Sequence, residues 1–275
     1  MNKLISHPDG TTYWKIEEDE PQVVYRIGDY AELWQLGQYV DAHNHKYAER
    51  PAIIIPWLID GQADKRFNDD ESSGLKQVCK FLNGMDADFV IFHPHNPEVV
   101  EAYMGDKVEI MDNTLFVNKV LKSIGDHIDE SVSILSPDAG AYKWINKTMD
   151  TLGWKGDVLS ASKVRTYVNG KTKLKQQLPI DDFGGKDVLI IDDISIGGGT
   201  FKGLSALLDS ANVGKKYLAV SHITVQGLGE DPVTDYFDKV FTTNSVFEKY
   251  FSITVEKGWG KNAVQPKNLE IIELF

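Results

Sequence analysis

Residues 188–201 read Val-Leu-Ile-Ile-Asp-Asp-Ile-Ser-Ile-Gly-Gly-Gly-Thr-Phe. Four successive apolar residues lead into two adjacent carboxylates, Asp192 and Asp193. A glycine run, Gly197, Gly198 and Gly199, follows, with Ser195 before it and Thr200 after it. An unbroken apolar run closed by a turn predicts a strand covered on both faces. In open α/β sheets, ligands bind beyond the carboxyl ends of such strands. Glycines let backbone N–H groups converge, and the N-terminus of a following helix favours an anion. Paired carboxylates beside an anion cradle suit vicinal sugar hydroxyls or a Mg²⁺ ion. The stretch is not a P-loop, because no Lys-Ser/Thr pair follows the glycines. The bland alternative is a solvated acidic turn.

Other polar clusters sit at comparable places. Ser136-Pro137-Asp138-Ala139-Gly140 follows an apolar run, so Asp138 is either a ligand or the cap of the next helix. Lys163 and Arg165 stand two apart. On a strand they share a face, whereas on a solvated loop they are ordinary surface charge. Phe92-His93-Pro94-His95-Asn96-Pro97 places two histidines after another apolar run. His95 reads either as a ligand or as a strand-end histidine bonded to backbone, and His93 as structural. His43 and His45, two apart in a helical stretch, face different sides and read as surface or packing residues.

The elements that must position these groups are legible as periodicity. Short apolar runs at 52–55, 89–92, 132–135, 188–191 and 217–220 alternate with helix-compatible stretches. Leu75, Val78, Cys79 and Leu82 fall at helical spacing, as do Leu204, Leu207 and Leu208. Strand alternating with helix predicts βαβ units and mostly parallel, doubly wound sheets. A polar stretch from Lys163 to Asp182 contains Asn169-Gly170, a hairpin signal.

Composition narrows the class. The chain has 275 residues, 42% hydrophobic and 25% charged, enough for a sizeable core. With 29 basic against 41 acidic residues the net charge is −12, which disfavours a nucleic-acid surface. No apolar run approaches the ~20 residues that span a bilayer, and the first ten residues lack the pattern of a leader. One cysteine, Cys79, excludes an intrachain disulfide and a cysteine zinc site. A soluble protein of the reducing cytoplasm is expected.

Taken together the motifs resemble those of the ribose-phosphate diphosphokinases, or PRPP synthetases. The 188–201 stretch is similar to the phosphoribosyl-diphosphate motif that this family shares with type I phosphoribosyltransferases. Ser136 to Gly140 resembles the turn opening the synthetase's second domain, and Phe92 to Pro97 the turn bearing the family histidine, at His95. Ile55-Pro56-Trp57 through Asp64-Lys65-Arg66 is similar to the nucleotide segment. Lys163-Val164-Arg165 stands at the mobile basic loop, and Ser221-His222-Ile223 where the family has Thr-His-Gly.

The resemblance implies two phosphoribosyltransferase-like domains, residues 1–130 on the nucleotide side and 131–275 for the ribose phosphate, with the site at their junction. It implies transfer of the β,γ-diphosphoryl group of ATP to the anomeric hydroxyl of a 5-phosphorylated ribose. Lys163 and Arg165 would be catalytic. Asp192 and Asp193 would hold the ribose hydroxyls, with Ser195, Gly197, Gly198, Gly199 and Thr200 around the 5′-phosphate. Gln62, Asp64, Arg66 and His95 would bind nucleotide, and His95 and Asp138 the Mg²⁺ of MgATP. A homo-oligomer is also implied, dimer-based and up to a hexamer.

Two departures bear on the acceptor. Where the family has Arg-Gln before the acid of its nucleotide segment, this chain has Gln62 and Ala63. Where the family's phosphate loop carries an acid and a threonine, this chain has Ile196 and glycine. Side chains lost from a cradle weaken its grip on a terminal phosphate and open room beyond it. ADP-ribose, the acceptor of related phage enzymes serving nicotinamide nucleotide synthesis, is therefore weighed beside ribose 5-phosphate. A non-catalytic synthetase partner and a phosphoribosyltransferase are the remaining alternatives.

Overall fold

The computed structural model describes residues 2–125, 131–168, 171–224, 228, 231–246 and 266–275. It divides into two compact units, Met1–Asp112 with Phe275, and Asn113–Leu274.

In the first unit β1 (Lys3–Ser6) and β2 (Thr12–Lys15) form an antiparallel hairpin. A parallel sheet follows in chain order: β3 (Gln22–Val24), β4 (Ala52–Ile55), β5 (Asp88–Phe92) and β6 (Val108–Met111). Three helices accompany it, α1 (Tyr30–Tyr47), α2 (Gly74–Asn83) and α3 (Pro97–Met104). Each starts on a side-chain cap: Asp29, Ser73 and Asn96 accept from Glu32, Lys76 and Val99 N–H. Such caps satisfy N–H groups that a helix start leaves unpaired. The periodic residues Leu75, Val78, Cys79 and Leu82 are buried with Ile53, Ile55 and Ile91 in one core.

The second unit is built on a six-stranded parallel sheet. Its spatial order is β14 (Leu269–Ile272), β13 (Lys239–Thr243), β12 (Lys216–Ile223), β11 (Asp187–Ser195), β7 (Val132–Ser136) and β8 (Val158–Ser160). Helices α4 (Thr114–Ile124), α5 (Ala139–Leu152) and α6 (Gly199–Leu208) cover it. Strand alternation sorts the apolar run into two cores. Val188 and Ile190 pack with Phe201, Leu204 and Leu208 of α6. Leu189 and Ile191 pack with Phe116 of α4 and Ile145 of α5. All four β11 residues are fully buried, so the unbroken hydrophobicity of 188–191 reflects cover on both faces. Burial of each such side chain is worth about 1.5–3 kcal/mol.

One feature differs in detail from the reading of the sequence, and another agrees with its hairpin signal. The division falls after Asp112 rather than near residue 130, because Phe116, Val117, Val120 and Leu121 of α4 join the core of the second unit. The polar 163–182 stretch begins as an antiparallel ribbon, β9 (Ser162–Val168) and β10 (Lys171–Gln177). The Asn169-Gly170 turn itself lies outside the described residues, yet Val168 pairs with Lys171 on either side of it.

Phe116→Ala should therefore destabilise the second unit by about 3–5 kcal/mol. Hydrogen exchange should quicken in β7, β11 and β12 and stay unchanged in β4 and β5. Equal loss of protection in both sheets would contradict the assignment of α4.

Candidate active site

In the second unit the strand sequence changes direction between β7 and β11. From β11 the chain proceeds through β12 and β13 to β14, whereas from β7 it proceeds the other way to β8. Such a switch point separates the two flanking loops and makes a crevice at the strand ends. Two strand-to-helix turns meet this description, one after β7 and one after β11.

After β7, Asp138 caps α5. Its Oδ1 accepts from the N–H groups of Gly140 at 2.9 Å and Ala141 at 3.2 Å. Ser136 Oγ donates to the Asp138 carbonyl at 2.6 Å. The second carboxylate oxygen, Oδ2, faces Lys163 Nζ at 3.7 Å, from a lysine side chain only 16% exposed. The cap reading and the ligand reading are thus compatible, since each uses a different oxygen. Lys163 lies near the base of the β9–β10 ribbon. Arg165 lies two residues further along the same strand, its side chain outside the described part.

Near the carboxyl end of β11, Asp193 N–H donates to Asp192 Oδ1 at 2.9 Å, folding the first carboxylate over the second residue. Asp193 is buried. Burial and the Asp193 carboxylate hold the Asp192 carboxyl well above the usual carboxylate range, and the charge of Asp138 adds to the effect. A site that disfavours its own negative charge in this way is completed by a cation or by hydroxyl donors.

The glycine run has three distinct members. Gly198 has φ +71°, and a Cβ there would meet Val233 Cβ at 3.0 Å, so a side chain is strained and crowded. Among the described residues, a Cβ on Gly197 or Gly199 would meet nothing within 4 Å. Thr224 pins the loop, its N–H donating to Ser195 O at 3.0 Å and its Oγ1 to Ile196 O at 3.2 Å. Ser195 Oγ is buried without a hydrogen-bond partner among the described residues, and Ile196 is 42% exposed. Gly198 starts α6 without a side-chain cap, which leaves the first-turn N–H groups to an external acceptor. Lys202, one turn along, pairs with Asp231 at 2.7 Å.

The first unit holds the remaining residues. His93 is buried at φ +40°, a left-handed conformation that costs energy outside glycine. His95 is exposed beside it. Asn96 caps α3 and donates from Nδ2 to Asp64 Oδ2 at 2.9 Å, so the acid of the nucleotide-like segment is tied to the histidine turn. Gln62 is exposed, while Arg66 Nε donates to the Glu71 carbonyl at 2.8 Å and serves its own loop. His43 is buried in α1, with Nε2 3.4 Å from Asp19, and His45 is exposed.

The parallel sheet, its switch point and the acid–glycine turn define a phosphoribosyltransferase-type unit. The model of the phosphoribosyl transferase domain matches residues 108–256, more than half of the chain, and the chain belongs to that family. Within it the resemblance is to ribose-phosphate pyrophosphokinases. That of Saccharolobus solfataricus is 26% identical over 233 residues, covering 82% of this chain and 77% of the relative. That of Thermococcus kodakarensis is 26% identical over 247 residues, covering 87% and 83%. The crystal structure of phosphoribosylpyrophosphate synthetase from Mycobacterium smegmatis shares the fold with a TM-score of 0.73. It is 20% identical and covers 99% of this chain and 86% of that one. Among the described residues no helix is long and apolar enough to cross a membrane.

Thr224 and Gln176 carry no motif, and their positions near the glycine loop emerge only from the fold. For Gln176 one signal exists: counting outward from the Asn169-Gly170 turn pairs it with Lys163, as the ribbon does.

The raised Asp192 carboxyl sets a pH dependence. Relative to the unfolded chain, its contribution to stability is fully present below the unfolded carboxylate range, near pH 4, and is lost as pH rises through the folded value. Asp192→Asn should melt above the natural protein at pH 7.5, with the advantage vanishing towards pH 4. Calorimetry at both pH values checks this, and a lower melting point at pH 7.5 would contradict it.

Proposed function

We propose that the chain is a diphosphotransferase that moves the β,γ-diphosphoryl group of ATP onto the anomeric hydroxyl of a 5-phosphorylated ribose, releasing AMP. The observation that carries this reading is the pairing of Lys163 with Asp138 in the same unit whose β11 carries Asp192 and Asp193 just before an open glycine loop. The printed names of the similar proteins point the same way.

The roles follow from charge. The sugar's O1 attacks the β-phosphorus, and the bond from that phosphorus to the oxygen it shares with the α-phosphate breaks. Negative charge spreads over the transferring group, so fixed cations and positioning supply the catalysis. Lys163 is the described cation, and Arg165 is assigned beside it on the ribbon. Asp192 and Asp193 accept from the ribose hydroxyls, which replaces the repulsion between buried carboxylates by hydrogen bonds. The N–H groups at Gly199 and Thr200, with the Thr200 hydroxyl, take the 5′-phosphate, and Ser195 Oγ supplies a further polar group under the loop. Asp64 and His95 of the first unit are assigned to the nucleotide, with Gln62 and Arg66 in the same segment.

The donor set fits a Mg²⁺ that arrives with ATP. Asp138 leaves Oδ2 uncommitted to the helix cap. No group of three or more His, Cys, Asp or Glu with metal-holding geometry occurs among the described residues. Mg²⁺ bound through one or two protein ligands, phosphates and water has this character. An ion held by Asp138 in the second unit would neutralise phosphate charge.

Ribose 5-phosphate is the acceptor favoured by the relatives. The space around Gly197 and Gly199, together with exposed Ile196, supports ADP-ribose as a second reading, because a group extending beyond the phosphate meets no side chain there. The protein is assigned to the cytoplasm as a homo-oligomer.

AMP release from MgATP should be followed with each acceptor alone, and the new diphosphate by phosphorus NMR. Turnover with ribose 5-phosphate is expected, and preference for ADP-ribose would make the loop the specificity device. Silence with both would favour the non-catalytic partner, and pyrophosphate release from PRPP with a free base would favour a phosphoribosyltransferase. Lys163→Ala should lower kcat by about 10²–10³-fold with acceptor KM nearly unchanged. A raised KM at constant kcat would refute its transition-state role.

A further inference from the structure

The β9–β10 ribbon carries Lys163, but a two-stranded ribbon is marginal by itself in water. Something must hold its base against the rest of the unit. Lys163 and Gln176 are directly opposite in the ribbon register, so their side chains emerge on one face. They reach in different directions. Lys163 Nζ goes to Asp138, at the turn after β7. Gln176 Nε2 donates at 2.9 Å to the carbonyl of Thr200, at the turn after β11. One cross-strand pair therefore spans the two turns that flank the switch point.

A Cβ on Gly203, half-buried in α6, would collide with Oε1 of Gln176, so the absence of a side chain there leaves the room that the amide occupies. Glycine in a helix interior is otherwise unfavourable. Its presence here, directly under a side-chain amide bonded one turn earlier, has a specific geometric reason.

We infer that Gln176 is a positioning residue: seated on Gly203 and bonded to Thr200, it latches the ribbon to the phosphate-loop helix and so sets where Lys163 stands. This inference rests on the proposed role of Lys163 for its consequence in turnover, but the latch itself is a structural statement that can be tested separately. The bonded carbonyl belongs to the residue whose N–H and hydroxyl are assigned to the 5′-phosphate. The amide thus couples the acceptor side of the site to the cation that acts on the diphosphoryl group.

Three full-length variants test it: Gln176→Ala, Gly203→Ala and the double variant. Gly203→Ala removes no polar group and favours the helix, so a loss of function in it cannot be assigned to unfolding of α6. In both single variants amide exchange in residues 162–168 and 171–177 should quicken at least tenfold, with β7 and β11 unchanged. For diphosphoryl transfer, kcat should fall about tenfold while acceptor KM changes less than threefold. In the double variant the effect of Gly203→Ala should vanish, because the added methyl has no amide left to displace. Unchanged ribbon exchange in either single variant, or additive effects in the double, would overturn the latch. If the natural protein transfers no diphosphoryl group to any acceptor, the functional reading fails while the exchange result still decides the latch.

Discussion

The arrangement depends on one constraint: β11 is buried on both faces through residues 188–191 and then carries two adjacent carboxylates before its end at Ser195. Apolar residues at 188–191 divide between two cores and fix the strand rigidly. The strand delivers half-buried Asp192 beside buried Asp193, whose carboxylate makes ionisation of Asp192 costly. Neither acid improves packing. Their retention near the carboxyl end of a strand covered on both faces is intelligible when a bound group supplies the missing positive charge or hydroxyl donors.

From that point the surrounding turns take on complementary duties. Asp138 spends one oxygen on capping α5, which fixes the carboxylate, and presents the other to Lys163. The glycine loop spends its conformational freedom at a single residue, Gly198, whose left-handed backbone lets α6 start directly above Val233. A helix beginning without a side-chain cap leaves donors for an anion. A neighbouring lysine, Lys202, is neutralised by Asp231 and so leaves that task to the backbone.

Much of this was legible in the sequence because the signals were local. The apolar runs at 52–55, 89–92, 132–135, 188–191 and 217–220 all lie in strands, and the glycine run does open a helix. The edge strands were not legible. β3 has three residues, and β6 alternates Val-Glu-Ile-Met, so neither carries an apolar run. The place of α4 was also hidden, since its amphipathic face states that it packs but not against which sheet. In the candidate site, Asp138, Lys163 and the β11 acids were visible by residue type. For Arg66 the residue type shows a charge but not the bond from its Nε to the carbonyl of Glu71 within its own loop. Gln176 and Thr224 act through hydrogen bonds to distant backbone, one from Gln176 and two from Thr224, a relation that neither periodicity nor composition encodes.

The glycine loop separates what the fold needs from what a ligand meets. Gly198 is held by backbone conformation and by Val233, so it belongs to the architecture. Gly197 and Gly199 border open space and owe nothing to the packing beneath them. If this loop takes the acceptor's phosphate as proposed, substitution at those two positions can alter recognition while the scaffold stays intact. Such a division makes the loop a natural place for enzymes of this fold to diverge in substrate, and a practical one for redesign.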